Sequence, residues 1–517
     1  MIFLFHRPEF ILFFSCSMSS TRLASSPPAV IRAARLLLAP VVMGLLSCAA
    51  IPAADSTPSR PNIIFILLDD QGWADAGAFG HPYMKTPHID RLVSQSARFE
   101  QFYVSSPVCS PSRAAFMTGH YPARHGIHGA FATRAENADR GMPNRLDPEV
   151  TTVWDLARSA GYATAHFGKW HLGGLKRATP DAYGVDYYRI ADAPNQKWKE
   201  ASNLYAAWKE GKDPYHRAKS TGLFVDDAIR FIKAHRDQPF YINLWTLIPH
   251  FTLNPTPEEL AVYDDLQVSP EDFPSWMQQY MAKARHPQQQ MKVFCAAMTG
   301  LDTALGRLFD FLDAQHLADN TIIFMSSDNG PEDYHVPKAA NAAMGFPGVL
   351  RARKRSLYDG GLRTPLLVRW PGKIEAGRDD KVSLLTAVDF LPTVANLMGA
   401  ELPEEIHLDG EDVSDRLLGE SHPRKRPILW EWRFPVMGNP AYNPPELAIR
   451  DNQWKLLIDS DGKHVELYRP VDDPEERHNL ADQHPDVVDR LKAIVLQWQK
   501  TLPSDSKNDQ VNRKSGR

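Results

Sequence analysis

Four apolar stretches of this chain end in residues that bind ions or move protons. Residues 62–68 run into Asp69-Asp70, and 163–167 into Gly168-Lys169-Trp170-His171. Residues 240–248 run into Pro249-His250, and 321–327 into Asp328-Asn329-Gly330. Three carboxylates and an amide oxygen gathered at one point repel each other unless a cation sits among them. Oxygen-only ligands favour a hard ion, Ca²⁺ or Mg²⁺, over zinc. Taken singly, Asp-Asp and Asp-Asn-Gly also read as ordinary turns, because Asn-Gly is a strong turn signal. Their pairing at two strand ends favours the metal. Gly72 and Gly330 are the residues expected to permit the sharp turns that aim neighbouring side chains inward.

Cys109-Ser110-Pro111-Ser112-Arg113 adds a thiol. It follows a Ser/Pro turn and precedes residues 114–117, which can start a helix. A nucleophile at a helix N-terminus gains from the positive end of the dipole. Arg113, one turn on, faces the same side and can hold an oxyanion. Without further context the segment reads equally as a structural cysteine beside a chance arginine. The chain has four cysteines, and Cys16 and Cys48 fall in the leading segment. Cys109 and Cys295 alone cannot make a disulfide scaffold, and Cys295 reads as a buried thiol on a helix.

The elements that must position these groups are legible. Near-continuous apolar runs at 62–68, 163–167, 240–247, 321–325 and 366–370 predict buried parallel strands. Helical spacing appears at 89–97, 153–160, 225–234, 291–312 and 388–398. Alternation of the two predicts an α/β fold, a large mostly parallel sheet covered by helices on both faces. Ligands bind at the carboxyl ends of strands in such sheets, which is where the acids, lysine and histidines fall. After about residue 426 the texture changes. Short runs at 428–433, 447–450, 454–458 and 464–468 predict a small antiparallel sheet, closed by a helix at 486–500.

The expected organisation is a leader at 1–54, a catalytic domain at 55–426, a C-terminal subdomain at 427–502 and a disordered tail at 503–517. Arg32 and Arg35, the apolar run 36–46 and the small residues 49–54 have the order of a secretory signal, and Met18 is a candidate start. Leu45-Leu46-Ser47-Cys48 resembles a lipoprotein box, which makes Cys48 a candidate lipid anchor. The expected location is exported: periplasmic, outer-envelope lipoprotein or secreted. The 517 residues are 43% hydrophobic with a net charge of −4, so nucleic acid is not an expected partner.

Cys109-Ser-Pro-Ser-Arg113 with Thr118-Gly119-His-Tyr-Pro122 closely resembles the signature of the formylglycine-dependent type I sulfatases. The resemblance continues through 62–70, 86–92, Gly168-Lys-Trp-His171, Pro249-His250, Asp328-Asn-Gly330 and 350–365, and reaches the end pieces at 448–456 and 466–480. The 350–365 segment looks most like branches acting on sulfated sugars, including the N-acetylgalactosamine-6-sulfatase-like group. The resemblance implies an alkaline-phosphatase-like sheet and hydrolysis of sulfate esters of sugars or aryl alcohols. It implies that Cys109 becomes formylglycine (3-oxoalanine) through a formylglycine-generating or anaerobic sulfatase-maturating enzyme. It assigns Asp69, Asp70, Asp328, Asn329 and the modified Cys109 to one Ca²⁺, with Mg²⁺ the lesser choice. Arg113 matches the residue that stabilises the hydrate, Lys169 and Lys354 those that hold sulfate oxygens, His171 the hydrate's histidine, and His250 the proton donor to the leaving alcohol. Lys338 is the weaker rival of Lys354, and Asp359 stands where glutamate is commoner.

Other residues take blander expectations. His88, Asp90 and Asp389 read as caps or packing residues. His120, His125 and His128 either line the pocket or are structural. Arg351, Arg353, Lys354 and Arg355 form either a solvated face or a contact for an anionic sugar. Trp430 and Trp432 read as core ahead of a sugar platform. Residues 131–146 and 181–217 are expected to form the specificity rim. One rival function is hydrolysis of phosphate or phosphonate esters; a di-zinc phosphatase would want histidine where Asn329 stands. A non-catalytic glycan-binding protein is the other, and the full set of catalytic residue types argues against it.

Overall fold

The computed structural model describes residues 60–173, 178–190, 193–194, 210–334, 336–436 and 440–503. The expected leader, Cys48 and nearly all of the expected tail lie outside the described residues, as does most of 191–209. Among the described residues no helix is long and apolar enough to cross a membrane.

The described strands are, in chain order, β1 (Asn62–Asp69), β2 (Ala97–Phe99), β3 (Phe102–Tyr103), β4 (Ala163–Gly168), β5 (Tyr187–Ile190), β6 (Ala193–Pro194), β7 (Phe240–Pro249) and β8 (Thr321–Ser327). They continue with β9 (Leu366–Arg369), β10 (Asp379–Asp380), β11 (Leu385–Thr386), β12 (Ile428–Glu431), β13 (Leu447–Asp451), β14 (Trp454–Ile458) and β15 (Glu466–Tyr468). Nine make one sheet in the order β10-β2-β9-β8-β1-β7-β4-β5-β6. The centre is parallel: β1 pairs with β7 and β8, and β4 with β7 and β5. β3 and β11 pair by themselves, and β12-β13-β14-β15 form the small antiparallel sheet.

β1 shows why its apolar run is continuous. Ile63, Phe65 and Leu67 enter one core with Phe116, Trp154 and Phe390, from the helices Cys109–Thr118, Val153–Ser159 and Phe390–Met398. Ile64, Ile66 and Leu68 enter the opposite core with Phe224, Phe231 and Phe294, from the helices Ser220–Ala234 and Pro287–Ala314. Both faces are buried, so the polar residues of the strand are confined to its two ends, Asn62 and Asp69. Each such side chain contributes about 1.5–3 kcal/mol by leaving water.

Two expectations are corrected. The 366–370 run was expected to be parallel, but β9 lies antiparallel to both β8 and β2. Hydrophobicity fixes burial on two faces and is blind to strand direction. The helix expected at 89–97 ends at Ser94, and Ala97 opens β2. Ala97 and Phe99 alternate into the core while β2 bonds β9 and β10, so long-range pairing overrides local helical spacing. The closing helix runs Pro485–Thr501.

Candidate active site

All four strand ends converge on one cluster of charged side chains. Asp69 ends β1, and Asp70 takes the left-handed conformation with φ 71°. That turn is pinned by hydrogen bonds from Asp70 N to Asp328 Oδ1 (3.1 Å) and from Gln71 N to Ser327 Oγ (2.9 Å). The sharp turn therefore falls on Asp70 itself. Gly72 serves a different need: a Cβ there would lie 2.6 Å from the Phe346 carbonyl oxygen. Gly330 is likewise needed for close approach, since a Cβ would collide with the Gly360 carbonyl.

From β8, Asp328 accepts Arg113 Nε (2.9 Å) and Nη2 (2.7 Å). Arg113 Nη2 also lies 3.6 Å from Asp69, so the carboxylates of β1 and β8 share one cation. Asn329 Nδ2 donates to Asp70 Oδ1 at 2.8 Å, while its Oδ1 is buried with no partner. From β4, Lys169 Nζ reaches both Asp69 oxygens at 2.6 and 2.7 Å. From β7, His250 Nε2 lies 3.8 Å from Asp70 Oδ2, and Nδ1 lies 2.7 Å from the Phe251 carbonyl. Arg217 fixes this strand end by donating to the Leu247 and His250 carbonyls at 2.7 and 3.0 Å.

Cys109 is the first residue of the helix Cys109–Thr118 and is only 2% exposed. Its Sγ lies 4.0 Å from Asp70 Oδ1. Arg113, on the next turn, is fully buried and stacks on Trp245 at 4.9 Å. Lys354 Nζ reaches both Asp70 oxygens at 2.6 Å, whereas Lys338 is exposed. His171 Nε2 lies 3.1 Å from the Phe131 carbonyl, and its Nδ1 is buried without a partner.

The field follows from this packing. Burial pushes the Asp69 carboxyl up, but Lys169, His250, Arg113 and Lys354 outweigh it and hold Asp69 well below the usual range. Burial dominates at Asp328 and raises it to about 6 despite Arg113. It raises the Cys109 thiol to about 12 and lowers His250 to about 4. His171 is also pushed well down, by burial and then by Lys169.

Asp69, Asp70, Cys109 and His250 offer ligand atoms within 4.8 Å of one another, and Asp328 and Asn329 are bonded to that group. The oxygen-rich donors and the orphaned Asn329 Oδ1 fit a hard divalent cation. Every predicted site residue thus gathers here.

Several other candidates do not. His120 Nδ1 and His125 Nε2 pair with each other at 3.2 Å, beyond the far end of the helix that begins at Cys109. His128 is buried 3.5 Å from Glu431. Trp430 and Trp432 are core residues. Arg351 and Arg353 are spent on backbone carbonyls of Glu476, Ala441, Glu332, Ala343 and Gly345, so the basic cluster is no solvated face. The sequence reading missed Glu332, a buried carboxylate paired with Lys354 and Arg355. An acid three residues beyond Asn329 in the same strand-end loop was the available signal.

The sulfatase family model matches residues 61–400, and the model of the N-sulphoglucosamine sulphohydrolase C-terminal region matches 352–501. The chain is 28% identical to N-acetylgalactosamine-6-sulfatase of Rattus norvegicus, over 91% of this chain and 90% of the relative. It is 30% identical to arylsulfatase A of Bos taurus, over 88% and 89%. The crystal structure of Ps i-CgsB with k-i-k-neocarrahexaose superposes with a TM-score of 0.67 at 26% identity, over 88% of this chain and 98% of that one. With the family model spanning most of the chain, including the whole cluster of site residues, this protein belongs to the sulfatase family and is a sulfuric ester hydrolase.

Proposed function

We propose that the chain is a calcium-dependent sulfatase of sulfated sugars whose nucleophile is formylglycine made from Cys109. One observation carries the reading: Cys109 Sγ sits 4.0 Å from an Asp70 carboxylate that the ends of β7 and β8 also touch, through His250 and Asn329. Asp69, Asp70, Asp328, Asn329 and the modified residue 109 would hold Ca²⁺, with Mg²⁺ the lesser alternative. When present, the cation and the aldehyde hydrate at 109 supply Lewis acidity and a nucleophilic hydroxyl.

The chain's own residues do the rest. Arg113, Lys169 and Lys354 bind sulfate oxygens and stabilise charge on them. The Phe251 carbonyl accepts only, so His250 Nδ1 donates to it and Nε2 faces the pocket. Only the doubly protonated ring carries a proton on Nε2 as well, and that form gives it to the leaving oxygen. In the free protein burial prevails over Asp69 and Asp70 and lowers the ring to about 4, so the charge of a bound anionic ester is what would raise it toward the acid form. The Phe131 carbonyl likewise fixes the His171 proton on Nε2, which leaves Nδ1 as the base.

Relatives named N-acetylgalactosamine-6-sulfatase support a sugar substrate. A maturation enzyme and export by the leader, as a periplasmic protein, a lipoprotein anchored at Cys48 or a secreted protein, complete the proposal. The test is sulfate release from an aryl sulfate beside phosphate release from the matching aryl phosphate. Faster phosphate release would overturn the reading in favour of the phosphate or phosphonate alternative. Dialysis against a chelator should lower sulfate release by about 100-fold, and added Ca²⁺ should restore it.

Replacement of His250 by alanine separates general acid from scaffold. A nitrophenolate leaves without help, whereas a sugar alkoxide needs a proton. His250→Ala should cost about 100-fold or more with a sulfated sugar and about tenfold or less with nitrophenyl sulfate. Equal losses on the two substrates would remove His250 from the acid role.

A further inference from the structure

Glu332 has no part in the reaction as described, yet its carboxylate is fully buried against Lys354 and Arg355. Its Oε2 lies 3.5 Å from Lys354 Nζ, and Arg355 Nη2 reaches the same oxygen at 3.3 Å. Arg355 Nη1 bonds Oε1, which also accepts Asp333 N at 2.8 Å. The backbone reinforces the pairing. Lys354 N donates to the Pro331 carbonyl at 3.0 Å, and Arg353 Nε to the Glu332 carbonyl at 2.9 Å. The segments 331–333 and 353–355 are therefore fastened through main chain and side chain together.

We propose that Glu332 is a positioning residue for sulfate recognition, holding the Lys354 ammonium, with Arg355 beside it, at the sulfate-binding wall. This deepens the sulfatase reading and rests on it. Lys354 has two carboxylate partners, Asp70 and Glu332. Asp70 is shared with Asn329, His250 and the proposed cation, so its charge is not reserved for the lysine. Glu332 bonds no proposed metal ligand, and its charge is reserved for Lys354 and Arg355. A flexible four-carbon stem makes the ammonium a point charge whose place is set by what surrounds it. Among the described residues, Asp69, Asp70, Asp328 and Glu332 face four permanent cations: Arg113, Lys169, Lys354 and Arg355. Loss of Glu332's charge alone would make the wall more positive and draw anions in. Loss of its positioning would weaken transition-state binding. The two effects have opposite signs.

The experiment is a double-mutant cycle on the matured, metal-loaded enzyme with an aryl sulfate, using Glu332→Gln, Lys354→Ala and the pair. The expected result is a loss of about tenfold in kcat/KM for Glu332→Gln, shrinking to less than about twofold in the Lys354→Ala background. Glu332→Asp should recover part of the loss. Titration with inorganic sulfate, which needs no turnover, should show weaker binding to Glu332→Gln. If Glu332→Gln does not fold, Glu332→Asp takes its place in the cycle. Additive losses, or tighter sulfate binding, would overturn the proposal while an active parent left the sulfatase reading intact. A parent enzyme that released no sulfate would overturn both.

Discussion

Cys109→Ala should release no measurable sulfate and still unfold at nearly the parent's temperature. The expected loss is at least about 10⁴-fold, because the reacting atom itself is removed and the surrounding cations have nothing to assist. The fold should survive for a separate reason. The sulfur is a small buried atom at the first residue of a helix, and its Asp70 contact at 4.0 Å is at the outer limit for a thiol donor. Val108, the N-cap, makes no side-chain bond that the change could break. The cavity left is about the size of a methyl group, worth about 1 kcal/mol. Two measurements check it: sulfate release over many hours, and a thermal melt of both proteins. Retained turnover would refute the nucleophile assignment. A collapse in melting temperature would recast Cys109 as structural. Intact mass of the parent gives an independent reading, since conversion of a thiol to an aldehyde changes the mass of that residue alone.

The centre of the sheet and the site on its edge were legible because two simple constraints act there. A strand buried on both faces is apolar along most of its length, so β1, β7 and β8 could be read as runs. A polar residue ending such a run has nowhere to go but the sheet edge, so Asp69, Lys169, His250 and Asp328 declared themselves. What stayed hidden depends on distant partners. β9 has the same apolar signature whether it runs parallel or antiparallel. Residues 89–97 have helical spacing, and only pairing with β9 and β10 turns Ala97–Phe99 into a strand. Gly72 looked like a turn residue, yet its role is set by a carbonyl at Phe346, far along the chain. Arg353 looked like part of a solvated face or of a contact for an anionic sugar. Three backbone carbonyls in two loops bury it. Glu332 was hidden for the same reason, its partners being 22 and 23 residues on. The resemblance to sulfatases carried Lys354, which the strand-end argument alone could not reach.

Lys455→Met should be the most destabilising single change away from the reacting groups, and its effect should depend on pH. Lys455 on β14 donates to Asp359 Oδ1 at 2.7 Å and to Glu476 Oε1 at 2.8 Å, with all three side chains fully buried. Asp359 also accepts Tyr103 OH at 2.8 Å, and its own N–H donates to Glu476 Oε2 at 2.7 Å. This triad fastens the loop that carries Lys354 to the small antiparallel sheet. One ammonium serves two acids unequally. Burial pushes both up; at Asp359 the charges of Lys455, Arg363 and Arg450 prevail and lower it. At Glu476 burial prevails over Lys455, and the group rises to about 7 from an ordinary 4.5. The folded protein therefore holds a proton on Glu476 that the unfolded chain gives up. That contribution is complete below about 4.5 and is lost as pH rises through 7. Methionine keeps most of the lysine's bulk and removes its charge, leaving two buried acids facing each other. Breaking a buried pair by deleting one partner costs about 3–5 kcal/mol. Both acids can shed their charge by taking up protons, so the penalty should be largest near pH 8 and shrink toward pH 5. Urea unfolding of parent and variant at the two pH values measures it. A gap that stayed constant, or widened in acid, would mean that the three groups are not electrostatically coupled as the geometry requires.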